Sequence, residues 1–278
     1  MARTLSAPAP LRLRPLEIGD LLDETFRMYR RHFFLFAGIS VILSIPLAAS
    51  AGFSFFTVFN NLAQQVASNQ PPDLGPIFAS LGVFFVITVA VYPLLYGSIT
   101  YAACESALGR PVTFWSALRA ALRRYLHIVG YFLLVAGMAL LFCVFPLWIW
   151  IGVRWIAWMP AMFVENIGLG AALGRSWRLV EGRWWRTFLI LFLMYILVEV
   201  VASALQAFLY LGQILLQAVV SSYLSLAISE AAGILVSSLV SPILLIAIVL
   251  IYFDLRVRRE GLDLFQLAQR VGTPPPAA

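Results

Sequence analysis

"GRSWRLVEGRWWRTF", residues 174–188, sets four arginines and three tryptophans between two almost purely apolar blocks. The composition explains the setting. Apolar residues make up 62% of the 278 positions and charged residues only 12%, far from the proportions of a water-soluble domain. The uncharged runs 33–59, 76–104, 128–153, 200–229 and 231–253 each exceed the ~20 residues with which a helix crosses the hydrocarbon core. The chain therefore reads as an integral membrane protein, and the opening stretch as a basic aromatic segment at the membrane surface. Acids and arginines alternate through the first thirty residues, so no cleavable signal is expected there.

Every one of the 19 basic residues is arginine, and all but Arg154 fall in four clusters, 3–31, 110–124, 175–186 and 256–270. The connections near 60–75 and 217–229 carry none. The excess of positive charge on cytoplasmic loops then puts the four clusters inside, the bare loops outside and both termini in the cytoplasm. Three hairpins between four inside segments give six spans, placed at 33–59, 76–106, 128–146, 147–167, 187–214 and 230–255. Pro146 divides the third from the fourth, since proline starts helices well and continues them badly. Pro46, Pro93 and Gly97 permit kinks within the spans. Segment 215–229 is apolar enough to form an external interfacial helix. Residues 1–14 are expected to be flexible and the Pro-rich tail 266–278 disordered.

The opening stretch overlaps the third copy of a repeat. Leu169, Ala172, Leu173, Ser176, Trp177 and Val180 lie on one face of a 3.6-period helix. Ile18, Leu21, Leu22, Thr25, Phe26 and Tyr29 follow the same offsets, as do Phe114, Ala117, Leu118, Ala121, Leu122 and Tyr125. In each copy a leucine (Leu22, Leu118, Leu173) precedes an arginine (Arg27, Arg123, Arg178) by five residues, and a hairpin follows. The predicted fold is all-α: three repeats of an amphipathic interfacial helix plus a transmembrane hairpin, at about 15–107, 111–167 and 168–258 within a membrane domain of 15–265.

Several charges ask for partners. Glu105 follows Pro93 by twelve residues, Asp254 follows Pro242 by twelve, and Glu165 ends the span that holds Pro160. Acids at helix C-termini oppose the macrodipole and need compensating cations, and Arg27, Arg123 and Arg178 are the candidates. These pairs would clamp the amphipathic helices to the spans, or mark a proton or substrate pathway. Arg154 and Glu199 lie deepest, roughly 16 and 20 Å from the inner end on straight helices, so a direct or water-bridged pair facing the bundle interior is expected. Trp177, Trp184 and Trp185 are predicted interfacial anchors, with the neighbouring arginines meeting lipid phosphates. Cys104 and Cys143 lack metal or redox spacing and read as small buried hydrophobes, and His32 and His127 as interfacial side chains.

The segments "RPLEIGDLLDETFRMYRRHF", "MFVENIGLGAALGRSWRLVEGRWWRTF" and "YFDLRVRREGLDL" resemble the start, middle and end of the glycerophosphoryl diester phosphodiesterase membrane domain family and its uncharacterised relatives, over residues 15 to about 265. The resemblance implies a membrane domain without the soluble catalytic barrel that follows it in some relatives, and by itself it specifies no chemistry. The sequence holds no HExxH, no GxSxG and no phosphate-cradling glycine loop, so no catalytic residue, metal or cofactor is expected. Two functional classes remain: a membrane anchoring, assembly or lipid-organising component, or a small transporter or channel with a path between the repeats. The expected partners are the lipid bilayer, including anionic headgroups, and a membrane or cytoplasmic protein or a second copy of the chain. Nucleic acid is not expected, and the expected location is a bacterial cytoplasmic membrane.

Overall fold

Apolar helix formers dominate the runs between arginine clusters, and helices form through nearly all of them. The computed structural model describes residues 17–68, 73–139 and 145–261, in which no strand occurs. The predicted flexible terminus 1–14, the tail 266–278 and Cys143 lie outside the described residues. In chain order the helices are α1 (Ile18–Arg31), α2 (Phe33–Ser68), α3 (Gly75–Ala107), α4 (Phe114–Arg123), α5 (Tyr125–Ala139), α6 (Phe145–Trp155), α7 (Trp158–Val164), α8 (Leu169–Val180), α9 (Trp184–Leu216) and α10 (Ser222–Glu260). Among the described residues five stretches are long and apolar enough to cross a membrane: α2, α3, Leu147–Val164 across α6 and α7, α9 and α10. The apolar part of α5, Tyr125–Met138, is shorter. The chain is thus an all-helical, multi-pass membrane protein.

Two expectations about the spans are corrected. The predicted span 147–167 is not one helix but breaks at Ile156 and Ala157, between α6 and α7. Ser176 of α8 causes the break: its hydroxyl donates to the Arg154 carbonyl at 2.8 Å and accepts the Ala157 N–H at 3.0 Å, so a side chain replaces the helical ladder. Pro160, which cannot donate to a carbonyl one turn back, sits in the first turn of α7, where that loss is harmless. Residues 215–229 do not form a separate interfacial helix either. The end of α9, a short turn over 217–221 and the first turns of α10 take them up, and Ser221 caps α10 by accepting the Leu224 N–H at 3.4 Å.

The three short helices α1, α4 and α8 each precede a more apolar helix. Leu21, Ala117 and Ala172, at one repeat position, are all fully buried; so are Thr25, Ala121 and Ser176 at the next turn. Each of these helices packs on an apolar neighbour: α1 on α10, α4 on α3 and α8 on the shorter α7. Tyrosines at one repeat position add contacts to two long helices, Tyr29 of α1 to α10 and Tyr125, the first residue of α5, to α3. Tyr29 donates its hydroxyl to the Leu239 carbonyl, and the Tyr125 hydroxyl lies 3.3 Å from the Ala90 carbonyl. Both carbonyls stand three residues before a proline, Pro242 or Pro93, where the missing N–H weakens the ladder. Val180 occupies the third such position, and there Ser176 makes the junction instead.

α10 is the central helix. It packs against α1, α2, α3, α7, α8 and α9, and its residues from Ile243 to Val257 are almost continuously buried. α2 and α3 run through Pro46 and Pro93 without ending. Gly97 does not serve as a kink but as a point of contact: a Cβ there would stand 2.7 Å from Ile128 Cδ1 and 3.1 Å from Ala121 Cβ, so its bare Cα lets α3 lie against α4 and α5.

Candidate functional site

The arginine clusters converge on two ion networks. Glu165 at the end of α7 accepts Arg175 Nε at 2.9 Å and the Tyr252 hydroxyl at 2.8 Å, while Arg175 also pairs with Glu260 and Arg256 Nε reaches Glu260 at 3.1 Å. Partial burial works against the Arg175 charge, but its bonds to Glu165 and Glu260 outweigh that and hold the guanidinium above its usual range. Asp254, whose side chain is wholly buried, accepts Arg186 Nη1 at 2.6 Å and Arg258 Nε at 2.9 Å and so joins α9 to α10. Arg183 donates to the Arg258 carbonyl at 3.1 Å, and burial first, then the neighbouring arginines, push its basicity down.

All three predicted acids are therefore paired, but with cations other than Arg27, Arg123 and Arg178. Glu105 meets Arg110 at 3.5 Å, Glu165 meets Arg175, and Asp254 meets Arg186 and Arg258. Arg27 bonds Glu24 of its own helix at 3.0 Å, and the Arg178 carbonyl accepts from Arg259. The reason is geometric. A residue five positions after the half-buried leucine is rotated away from the face that packs on the spans, and Arg27, Arg123 and Arg178 are exposed.

The expected Arg154 to Glu199 pair is also corrected. The Arg154 guanidinium lies between two tryptophans, 5.1 Å from the Trp150 ring and 4.8 Å from the Trp177 ring. Its Nε and Nη1 are buried without a hydrogen-bond partner among the described residues. Trp184 Nε1 donates to the Trp150 carbonyl at 3.1 Å, which ties α6 to the first turn of α9. Glu199 lies fifteen residues further along α9, roughly 22 Å away. The expected depth holds only for a straight fourth span; the break at Ile156 and the fold-back of α8 bring Arg154 to the level of the tryptophans instead. Trp177 thus holds Arg154, Trp184 stacks on Phe188 at 5.2 Å, and Trp185 is exposed.

Glu199 belongs to a different feature, a crevice of about 580 Å³ among α2, α3, α9 and α10 with a groove of about 370 Å³ continuing from it. Gln206, Tyr210 and Gln213 line the crevice from α9, and Ser229, Glu230, Ser237, Ser238 and Ser241 from α10. Ser44 of α2 and the stacked pair Tyr92 and Tyr96 of α3 complete its polar wall, beside Leu47, Phe55 and Leu95. Glu199 and Ser203 line the groove, which shares Gln206, Ser237 and Ser241 with the crevice. Gln206 Nε2 donates to Ser237 Oγ at 3.1 Å and lies 3.3 Å from where a Gly233 Cβ would stand, so glycine makes room for the amide. Pro242 offers no N–H to the Ser238 carbonyl, and the Ser241 hydroxyl donates to it at 3.2 Å. Measured along α10 from Asp254, Ser241 stands roughly 20 Å and Glu230 roughly 36 Å away, so the polar wall runs from mid-membrane to the end remote from the arginines.

Sequence reading overlooked this wall, although a signal was present. Glu199, Gln206 and Gln213 recur every seventh residue on α9, and Glu230, Ser237 and Ser241 share a face of α10. Amides and serines do not interrupt an apolar run as charges do, so the pattern hid inside two good spans.

Comparison with known families supports the resemblance read from the sequence. Residues 126–262 match the family model described as the membrane domain of glycerophosphoryl diester phosphodiesterase, which takes in the middle and most of the final quoted segment but not the first. The match is to a membrane domain and not to a catalytic one. No curated protein and no solved structure matches the chain.

Proposed function

We propose that this chain, whose residues 126–262 carry the membrane domain of the glycerophosphoryl diester phosphodiesterase family, is a non-enzymatic, lipid-organising component of the cytoplasmic membrane. On this reading α5 makes a third crossing, so that six crossings in three repeats put both termini and the arginine networks inside. The cyclic packing of α1 on α10, α4 on α3 and α8 on α7 supports the repeat. The observation that carries the function is the crevice: hydroxyls, amides and one acidic side chain, most of them from α9 and α10, share it with apolar side chains such as Leu47, Phe55 and Leu95, a mixed lining that suits an amphiphile. α3 and α9 both line the crevice without packing closely on each other, so the gap between them is its entrance from the bilayer. The arginine and tryptophan belt fixes the protein at the opposite surface, where anionic headgroups are the expected contacts.

The reading is tested by placing a large side chain in the crevice. Gly233→Trp should push the Gln206 amide aside and, in protein that still elutes as a single monodisperse peak, strip it of the lipid that co-purifies in mild detergent; equal lipid retention in such protein and the wild type would refute it. Orientation is tested in a background free of Cys104 and Cys143: a cysteine at Ser222 should react with an impermeant thiol reagent in intact cells and one at Arg110 should not, and the opposite pattern would invert the topology. A transport reading is favoured by one feature, the continuation of the polar wall into the groove at Glu199. Uptake of a solute into proteoliposomes, abolished by Glu199→Gln, would replace lipid organisation with transport.

A further inference from the structure

The chemistry of the crevice selects among amphiphiles. Its described lining offers hydroxyls and amides throughout, and a single acidic side chain, Glu230. No arginine or histidine lines it: the cations described above gather at the other end of the helices. Among the described residues no donor pairs with Glu230, which lies half-buried on α10. An anionic head would meet an uncompensated carboxylate and no counter-charge, whereas a cationic one would meet both a carboxylate and aromatic faces. Tyr92 and Tyr96, stacked with centroids 5.6 Å apart, and Tyr210 present rings to the same space. Leu47, Phe55 and Leu95 give an attached chain an apolar bed.

We propose that the crevice binds an organic ammonium with an apolar chain, with Glu230 as its counter-ion. This rests on the reading of the crevice as an amphiphile site and adds the charge of the head. Hydroxyl and amide acceptors on α9 and α10 suit the N–H groups of a primary ammonium, and the carboxylate sets the sign of the charge. An aminolipid headgroup and a free alkylammonium share that chemistry.

The test uses the full chain reconstituted in vesicles of equimolar phosphatidylethanolamine and phosphatidylglycerol, followed by quantification of the lipid retained on extraction into mild detergent. The wild type should retain the ethanolamine lipid about tenfold over the glycerol lipid, the weight of one partly desolvated charge contact. Glu230→Gln should lose that preference and Glu230→Asp should keep it, so that the preference follows the charge and not the fold. A parallel titration of the detergent-solubilised protein with hexylammonium, against hexanol, reads the soluble source. Glu230-dependent hexylammonium binding without aminolipid enrichment assigns the site to a free amine and still supports the proposal. Retained lipid that Gly233→Trp displaces but that shows no ethanolamine preference, together with hexylammonium binding unaffected by Glu230→Gln, overturns the proposal and spares the amphiphile site. No lipid and no amine retained overturns both.

Discussion

Asp254 is the charge whose removal should cost most. Its side chain has no solvent exposure, and it accepts from Arg186 at 2.6 Å and from Arg258 at 2.9 Å, whose own side chains are 25% and 26% exposed. Asp254→Asn keeps the shape and leaves two guanidinium groups facing each other across a neutral amide. Breaking a buried pair typically costs ~3–5 kcal/mol, and the partial exposure of both arginines places this case at the lower end, about 3 kcal/mol or roughly a hundredfold in the folding equilibrium. Arg27→Ala is the control, because its pair with Glu24 joins a side chain 68% exposed to its own helix and such surface pairs contribute only ~0–1 kcal/mol. Unfolding in mixed micelles of dodecyl maltoside and SDS, followed by tryptophan fluorescence, compares the two. A triple change of Asp254→Leu, Arg186→Met and Arg258→Met should lie within about 1 kcal/mol of wild type, since apolar replacement of a whole buried network is often neutral. An Asp254→Asn protein no less stable than Arg27→Ala would show that water, and not the network, solvates these arginines.

Gly97→Ala should destabilise by ~1–3 kcal/mol through overpacking, and Ile128→Val, which removes the Cδ1 atom 2.7 Å from the new Cβ, should recover most of it in the same unfolding assay. Ser176→Ala should cost ~1–3 kcal/mol by stranding the Arg154 carbonyl and the Ala157 N–H, and Ser176→Thr, which keeps the hydroxyl, should cost less if the branched side chain is accommodated. His32 ends α1, where burial and then Arg31 depress its pKa below the ordinary 6.5. The native state therefore binds fewer protons than the unfolded chain, so the stability tied to neutral His32 is complete above about pH 6.5 and falls as the pH drops below it; His32→Gln should flatten that part of the stability curve.

Strong single signals in the sequence carried into the structure, and signals that depend on register did not. The apolar runs became α2, α3, α9 and α10 because ~20 uncharged residues leave few alternatives in a bilayer. The amphipathic offsets in α1, α4 and α8 found the buried positions, Leu21 with Ala117 and Ala172, because helical periodicity is local. The ion pairs failed because they needed the rotation of one helix against another. That Arg175 and not Arg178 meets Glu165 follows from how α8 rolls onto α7, which no spacing within α8 records. Arg154 was misplaced for the same kind of reason: a serine in the next helix, Ser176, breaks the span from outside. Glu230 stands at the first position of the span expected at 230–255, and the earlier start of α10 at Ser222 sets it inside the helix, on the crevice wall.

The position of the crevice follows from where the packing energy lies. Thr187, Ile190 and Met194, the buried residues of α9, all fall in the first third of the helix, beside the Arg186 to Asp254 pair and the Trp184 to Trp150 hydrogen bond. Beyond Met194, α9 meets α10 through Gln206 and the serines, with hydrogen bonds of 3.1 and 3.4 Å in place of interlocked apolar side chains. A helix fixed at one end and joined at the other by polar contacts keeps a space that a fully apolar interface would close, since apolar side chains gain dispersion energy by filling it and amides lose hydrogen bonds if they are crushed together. The ion networks and the crevice are therefore parts of one arrangement. The networks hold α9 on α10 at the arginine end, with enough charge compensation that the remote half can remain polar and open. Weakening Asp254 should thus reach the crevice, whereas a change at Glu230 leaves the arginine end untouched.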